Sequence, residues 1–310
     1  MKIPILLANN DAAFTEQLIA AFQQRHPEVD VLLPGQPGSD KVQVAACWFP
    51  DDTLLTNYPN IKFIHALSAG VDHLGESLLS SGLPICRIVD ERQKQGMFEY
   101  VLWGVLNVHR YFDLAALNQR QNRWQRYKQK AASDIRVSVL GLGALGEYVA
   151  KGLADLGYSV SGWSRSQKAM ANITCYSGEA SLSDMLGQTD ILINLLPLSP
   201  VTRGILSHKL FDQLPQGAYV INCGRGGHVK EADLIQAVTR GHLRGAMLDV
   251  FDEEPLPETN PLWTTQGIVI TPHMASDAGE TVVVDQVAEN AARFLRGDAL
   301  LNPINLDHGY

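Results

Sequence analysis

The stretch that most limits how this chain can fold runs from Arg136 to Arg165, RVSVLGLGALGEYVAKGLADLGYSVSGWSR. Arg136 to Leu140 has the composition of a buried parallel strand, with β-branched Val137 and Val139 and a terminal Leu140. Gly141, Gly143 and Gly146 follow at once in the spacing G-x-G-x-x-G. A helical pattern then begins, with Leu145, Val149, Leu153 and Leu156 on one face at steps of four, four and three, and Gly157 ends it. Tyr158 to Trp163 reads as a second strand. The first glycine allows the turn off the strand, the second lets a pyrophosphate approach the backbone, and the third lets helix and strand pack closely. Phosphates then meet free N–H groups at the positive end of the helix. A glycine-rich turn alone says little; strand, turn, helix and strand in this order indicate a dinucleotide site.

A chain of 310 residues is long enough for about two domains with their own cores, and 45% apolar with 19% charged residues is a globular composition. The net charge of −8 argues against a nucleic-acid partner. The one basic cluster, Arg120 to Lys130, reads as a solvated helix face. Cys47, Cys86, Cys175 and Cys223 show neither a C-x-x-C pair nor metal-ligand spacing, so free thiols in a reducing compartment and no metal are expected. The opening MKIPILLANND is too short an apolar run for a signal peptide, and nothing later approaches a membrane span. A cytoplasmic protein without a membrane partner is the expectation.

Ile3 to Ala8 reads as a strand, and Asp11 can cap a helix carrying Phe14, Leu18, Ala21 and Phe22. Apolar runs at Val44–Trp48, Ile61–Leu67 and Ile85–Val89 continue a small α/β domain over the first hundred residues. Trp48 falls at a strand end, where open α/β sheets bind ligands, but it also suits a core. The turn Leu67-Ser68-Ala69-Gly70-Val71-Asp72 offers consecutive N–H groups to a carboxylate, or is an ordinary strand-to-helix turn. Met97 to Tyr111 is an apolar helix pattern suited to a connector, a dimer element, or both. Further strands are expected at Ile191–Leu195, Ala218–Asn222, Ala246–Asp249 and Ile268–Thr271, six with the glycine unit, and helices at Glu231–Arg240 and Gly279–Arg296.

Three later motifs appear in order: Asn222-Cys223-Gly224-Arg225-Gly226-Gly227, then Leu248-Asp249-Val250-Phe251-Asp252-Glu253-Glu254-Pro255, then Thr271-Pro272-His273. With the S-A-G-V-D turn, Met97-Phe98-Glu99-Tyr100 and Leu196-Pro197-Leu198-Ser199-Pro200-Val201-Thr202-Arg203-Gly204, nearly the whole chain resembles the D-isomer-specific 2-hydroxyacid dehydrogenase family. The resemblance implies two α/β domains with parallel sheets, Rossmann-like and flavodoxin-like, and an active site in the inter-domain cleft. Residues 1–99 and 284–310 would bind substrate, and 100–283 would be an inserted nucleotide-binding domain. A homodimer is implied, with the helix near Val101–Val108 contributing.

The resemblance also implies roles. Arg225 would grip the substrate carboxylate and polarise the keto oxygen, His273 would serve as acid/base, and Glu254 would orient the imidazole and raise its pKa. Trp48, Ala69 and Gly70 would line the substrate site. Gly141, Gly143, Ala144, Leu145, Gly146, Leu196, Pro197, Thr202, Cys223, Asp249 and His273 would face the cofactor. The remaining histidines, His228 among them, have no such setting and read as structural.

The end of the second strand reads Gly162-Trp163-Ser164-Arg165-Ser166-Gln167-Lys168 and has no acid to hold a ribose 2′-hydroxyl. Ser164, Arg165, Ser166 and Lys168 suit a 2′-phosphate, so NADP(H) is expected, with NAD(H) weaker. Within the family the W-S-R-S segment, L-D-V-F-x-x-E-P-L-P and the terminal Gly309-Tyr310 resemble bacterial glyoxylate/hydroxypyruvate reductases, implying reduction of small 2-keto acids. Lys230 and the Cys223-Gly224 pair depart from many members. Another D-2-hydroxyacid dehydrogenase, or a dinucleotide-sensing module on the same fold, is the alternative; intact Arg225, Glu254 and His273 speak against the latter.

Overall fold

The computed structural model describes residues 2–304, so Gly309-Tyr310 lie outside the described residues. In chain order the elements are β1 (Ile3–Asn9), α1 (Ala12–Arg25), β2 (Val29–Leu32), β3 (Val44–Trp48), α2 (Leu54–Asn57), β4 (Phe63–Ala66), α3 (Gly75–Leu79) and β5 (Ile85–Cys86). Then come α4 (Glu91–His109), α5 (Phe112–Arg120), β6 (Arg136–Leu140), α6 (Ala144–Asp155), β7 (Ser159–Ser164), β8 (Ile173–Ser177), α7 (Glu179–Leu186) and β9 (Ile191–Asn194). The last are α8 (His208–Phe211), β10 (Ala218–Asn222), α9 (Glu231–Thr239), β11 (Leu243–Leu248), β12 (Ile268–Ile270) and α10 (Glu280–Arg296). They form two units, Met1–Arg92 with Ala278–Tyr310, and Gln93–Asp277.

The first unit holds a parallel sheet of order β2-β1-β3-β4-β5, the flavodoxin-like winding. Asp11 caps α1 as its sequence position suggests, accepting a hydrogen bond from Phe14 N–H at 3.0 Å. On one face of the sheet, Leu18 and Phe22 of α1 and Val283, Val284, Val287 and Ala291 of α10 cover Ile5, Leu7, Val44 and Phe63. Burying each such aliphatic chain contributes about 1.5–3 kcal/mol. The other face packs Leu6, Ala45 and Ile64 on Leu54, Leu74 and Leu78.

The second unit has seven parallel strands in the order β12-β11-β10-β9-β6-β7-β8. This is the doubly wound dinucleotide order with one strand added beside β11, and its winding reverses between β6 and β9. β9 and β10 are buried along their whole lengths, as strands covered on both faces must be. Val101, Val105 and Val108 of α4 pack into the core formed by β6, β10 and α6. The chain is therefore an α/β protein of two Rossmann-like units.

Several local expectations change. The sheet has seven strands rather than six because β8, with the mixed sequence Ile-Thr-Cys-Tyr-Ser, is an edge strand and needs no continuous apolar run. β2, only four residues long, interrupted by Asp30 and at the edge of the first sheet, escapes the apolar pattern for a similar reason. α4 begins at Glu91, six residues before Met97, since its first turn is charged, and a second helix, α5, follows it. The basic stretch after Arg120 is not a helix: two turn residues are followed by irregular chain through Ala131. Leu156 is the residue after α6 and is 50% exposed, so Val149, Ala150 and Leu153 supply that helix's buried side.

Asn290 of α10 is fully buried and holds the last described segment. Its amide donates to Leu301 O at 3.0 Å and to His65 Nε2 at 3.1 Å, and its carbonyl accepts Leu301 N–H at 2.7 Å. Burial lowers the His65 pKa to about 4, so the ring stays neutral and donates from Nδ1 to Ala66 O. Asn290→Ala leaves the buried His65 Nε2 unmatched, at a cost of about 1–3 kcal/mol, and releases the part-buried Leu301 N–H and C=O. The variant should show a clearly lower urea midpoint, whereas a midpoint like that of the wild type would mean that these bonds add nothing.

Candidate active site

β6 ends at Leu140 and Gly141 turns the chain at φ 95°, where a side chain would also meet Leu195 O at 2.7 Å. Gly146 lies so close to Gly141 that a Cβ would stand 1.8 Å from its carbonyl oxygen. Gly143 differs: a Cβ there would meet nothing within 4 Å. Protein packing does not require glycine at this position, but close approach of a phosphate to the backbone does. The first turn of α6 presents N–H groups that the helix cannot satisfy internally. Ala144 is exposed and Leu145 half-buried on that turn. The residues present fit a dinucleotide pyrophosphate.

At the end of β7, Ser164 is buried and its hydroxyl donates to Ser166 O at 2.8 Å, while Arg165 and Ser166 are exposed. Lys168 Nζ donates to Leu142 O at 2.5 Å and lies 3.5 Å from Glu147 Oε2. Lys168 thus braces the glycine loop, a role its sequence position does not reveal. No carboxylate stands between Trp163 and Lys168. After β9, Thr202 Oγ1 donates to Pro197 O at 2.7 Å and accepts Ser199 N–H at 2.8 Å, folding the Leu196–Thr202 loop on itself.

β10 leads to Arg225, which is half-buried and donates from Nη1 to Gly224 O at 2.8 Å. Gly226 allows this loop to press on the next strand end, since a Cβ there would lie 1.8 Å from the Phe251 carbonyl carbon. Cys223 beside it is buried, and burial raises its thiol pKa far above the ordinary range. It remains a thiol and no nucleophile.

β11 and β12 deliver the remaining groups. Asp249 is 1% exposed; its carboxylate accepts Thr271 Oγ1–H at 2.6 Å and the N–H groups of Met274 and Ala275 at 2.9 Å each. Its carbonyl accepts His273 N–H at 2.8 Å. The carboxylate expected to face the cofactor therefore organises the turn that carries His273, whose φ is 50°. Glu254 Oε1 accepts Phe251 N–H at 2.8 Å, and Oε2 lies 2.8 Å from His273 Nδ1. With Nδ1–H given to Glu254, Nε2 is the ring nitrogen left to exchange a proton with a ligand.

The hydrogen bond to Glu254 raises the His273 pKa, burial opposes this, the Glu254 charge adds to it and Arg225 subtracts. Burial alone would raise the Glu254 carboxyl, but hydrogen bonds from His273 and Phe251 N–H hold it below its ordinary value. The ring's contribution to stability is therefore complete below about pH 6.5 and lost as pH rises through its raised pKa. That of Glu254 is present above about pH 4.3 and lost as pH falls through its lowered pKa.

In the first unit, Trp48 ends β3, half-buried, with its ring 4.5 Å from that of His73 and 5.1 Å from that of Phe49. Ala69 and Gly70 follow the neighbouring strand β4; Ser68 Oγ donates to Gly70 O at 2.8 Å, and Arg87 reaches Ala69 O at 3.4 Å. Both groups lie at carboxyl strand ends, where such sheets bind ligands. Tyr100, which donates to Thr271 Oγ1 at 2.5 Å, and a fully buried His228 are contributors that the sequence does not single out. Their bonds join residues far apart in the chain, and only the T-P-H and R-G motifs nearby hint at them.

Among the described residues no helix is long and apolar enough to cross a membrane. The glycine loop, the winding order and the strand-end residues define a dinucleotide-binding oxidoreductase unit. Residues 102–275 match the family described as D-isomer specific 2-hydroxyacid dehydrogenase, NAD binding domain. A glyoxylate/hydroxypyruvate reductase A from Photorhabdus laumondii is 37% identical over 300 residues, covering 95% of this chain and 96% of that protein. The crystal structure of a D-isomer specific 2-hydroxyacid dehydrogenase family protein from Klebsiella pneumoniae 342 is 50% identical with TM-score 0.94, covering 98% of this chain and 97% of that one. An NADPH-dependent glyoxylate/hydroxypyruvate reductase from Sinorhizobium meliloti, solved with NADP and sulfate, is 31% identical with TM-score 0.90, covering 100% of both chains. The chain belongs to the D-isomer-specific 2-hydroxyacid dehydrogenase family.

The Glu254–His273 pair can be tested without any substrate. In an NMR titration the His273 ring should show a midpoint above about 6.5, the ordinary histidine value. Glu254→Gln, which removes the charge while keeping hydrogen-bonding capacity, should move that midpoint down; an unmoved midpoint would break the pairing.

Proposed function

We propose that this protein reduces small 2-keto acids with NADPH, taking glyoxylate to glycolate and hydroxypyruvate to D-glycerate. The observation that carries the reading is the 2.8 Å contact of His273 Nδ1 with Glu254, in a unit that also presents Arg225 at a neighbouring strand end. NADPH supplies the hydride that C2 of the keto acid receives. Arg225 holds the substrate carboxylate and polarises the keto oxygen with its planar fork. His273 donates the proton from Nε2 to that oxygen, and Glu254 keeps the ring oriented and charged. Arg225 opposes the charge on His273, so an anion held on its guanidinium favours the ring's protonation when substrate is present.

The second unit would hold the nucleotide, with Leu196, Pro197, Thr202, Cys223 and Asp249 around it and Ser164, Arg165, Ser166 and Lys168 near the adenosine 2′-phosphate. Trp48, Ala69 and Gly70 of the first unit would line the substrate. The absence of an acid after β7 favours NADPH over NADH, and the Sinorhizobium reductase solved with NADP supports that choice. A cytoplasmic homodimer completes the reading. The dimer part of this reading is supported by the irregular stretch after α5, where Trp124 is 96% exposed, together with Phe112 and Trp103 about half exposed.

Initial rates with a panel of small 2-keto acids and both nucleotides test the proposal. Glyoxylate and hydroxypyruvate should be the best substrates, with kcat/KM at least about tenfold higher with NADPH, a difference of ~1.4 kcal/mol. A preference for NADH sinks the cofactor assignment, and a preference for pyruvate makes the protein a D-lactate type of dehydrogenase. Arg165→Ala should raise the KM for NADPH much more than that for NADH. His273→Ala should lose roughly 10²–10⁴-fold in kcat while NADPH binding is kept.

A further inference from the structure

His228 is fully buried in the turn just after Arg225 and lies outside the Arg225–Glu254–His273 set. Its Nδ1 is 3.0 Å from Asn194 Nδ2 and 3.0 Å from the backbone N of Arg225. Both neighbours are obligate donors, so Nδ1 is an acceptor and the ring proton sits on Nε2. Nε2 faces Pro197 O at 3.2 Å, the same carbonyl that Thr202 Oγ1 reaches at 2.7 Å. The second hydrogen of the Asn194 amide goes to Asn222 Oδ1 at 2.8 Å, and Asn222 Nδ2 donates to Arg225 O at 3.1 Å. His228 N–H reaches that same oxygen at 3.2 Å. The backbone of Arg225 is thus held at both its N–H and its carbonyl. Gly224 is part of the arrangement: a Cβ there would stand 2.8 Å from Asn194 Nδ2 and 2.9 Å from His228 Nδ1.

We propose that His228 is a positioning residue whose two ring nitrogens join the Leu196–Pro197 loop after β9 to Arg225 after β10, fixing the nucleotide side and the substrate side of the site against each other. A buried histidine that merely filled the core would have no reason to spend one nitrogen on each of these loops. The proposal rests on the reading of Arg225 as the carboxylate-holding group and of Leu196 and Pro197 as nucleotide contacts.

The two nitrogens can be separated. In His228→Asn the amide oxygen stands near Nδ1 and still accepts Arg225 N–H, but the donor to Pro197 is lost. In His228→Gln the terminal amide stands near Nε2 and still donates to Pro197, but Arg225 N–H loses its acceptor. A lost buried partner costs about 1–3 kcal/mol, or roughly five- to 150-fold. The Gln variant should therefore raise the keto-acid KM about tenfold or more while the NADPH Kd stays within about twofold. The Asn variant should weaken NADPH binding about fivefold or more with the keto-acid KM nearly unchanged. If both variants move both constants equally, or lower only the melting temperature, the positioning role is overturned.

Wild-type protein labelled with ¹⁵N-histidine gives a second measurement should the variants fail to fold. Its His228 ring should show the neutral Nε2–H form, and its resonances should move on adding NADP⁺ and move again on adding oxamate, an unreactive 2-keto-acid mimic. A ring that responds to neither, or to only one, overturns the proposal. If wild-type protein consumes no NADPH with any 2-keto acid, the substrate reading fails, and the tie is then decided by the NADPH Kd of the variants and the NADP⁺ response of the ring.

Discussion

The carboxylate of Asp249 sits at the carboxyl end of β11 with almost no access to water and accepts bonds from Thr271, Met274 and Ala275, while its carbonyl holds His273 N–H. A buried carboxylate without such partners would be costly, so these bonds fix the course of residues 271–275. They also offset the expense of a left-handed backbone at His273, on the order of 1–3 kcal/mol for a residue other than glycine. Thr271 gives its hydroxyl proton to Asp249 and so receives that of Tyr100, extending the hold into α4. The His273 imidazole is presented by a turn fixed from several directions at once.

The same economy governs the charges. Glu254 has one oxygen occupied by Phe251 N–H and the other by His273, so neither partner can rotate away without leaving the other unmatched. The Arg225 side opposes protonation of the ring, and Glu254 prevails because its influence acts through a direct hydrogen bond as well as through charge. Neighbouring strand ends supply all of this, which is why the parallel order of β10, β11 and β12 matters more than any one loop.

Much of this was legible in the residues. Buried parallel strands such as Ile191–Asn194 and Ala218–Asn222 announce themselves as continuous apolar runs, and the glycine spacing marks its own turn. Val29–Leu32 and Ile173–Ser177 do not, because an edge strand is stabilised by one neighbour and tolerates polar residues. The charged opening turn of α4 hid its start, and the basic residues beyond Arg120 suggested a helix where the chain is irregular. Arg225, Glu254 and His273 could be picked out because motifs carry them. The work of Asp249, Tyr100 and His228 could not, since it consists of bonds to backbone groups and distant side chains that only the fold brings within 3 Å or so.

The chain enters the second unit within α4 and leaves it just before α10, so the first unit is made from both ends of the sequence. On a ribosome, residues 93–277 emerge as one continuous piece and have every strand they need. The sheet of the first unit emerges earlier with all five strands, yet one of its faces stays only partly covered, because Val283, Val284, Val287 and Ala291 of α10 join α1 over Ile5, Leu7 and Phe63. The unit whose strands emerge earlier is therefore the later to close, and until α10 emerges it carries a partly open apolar face.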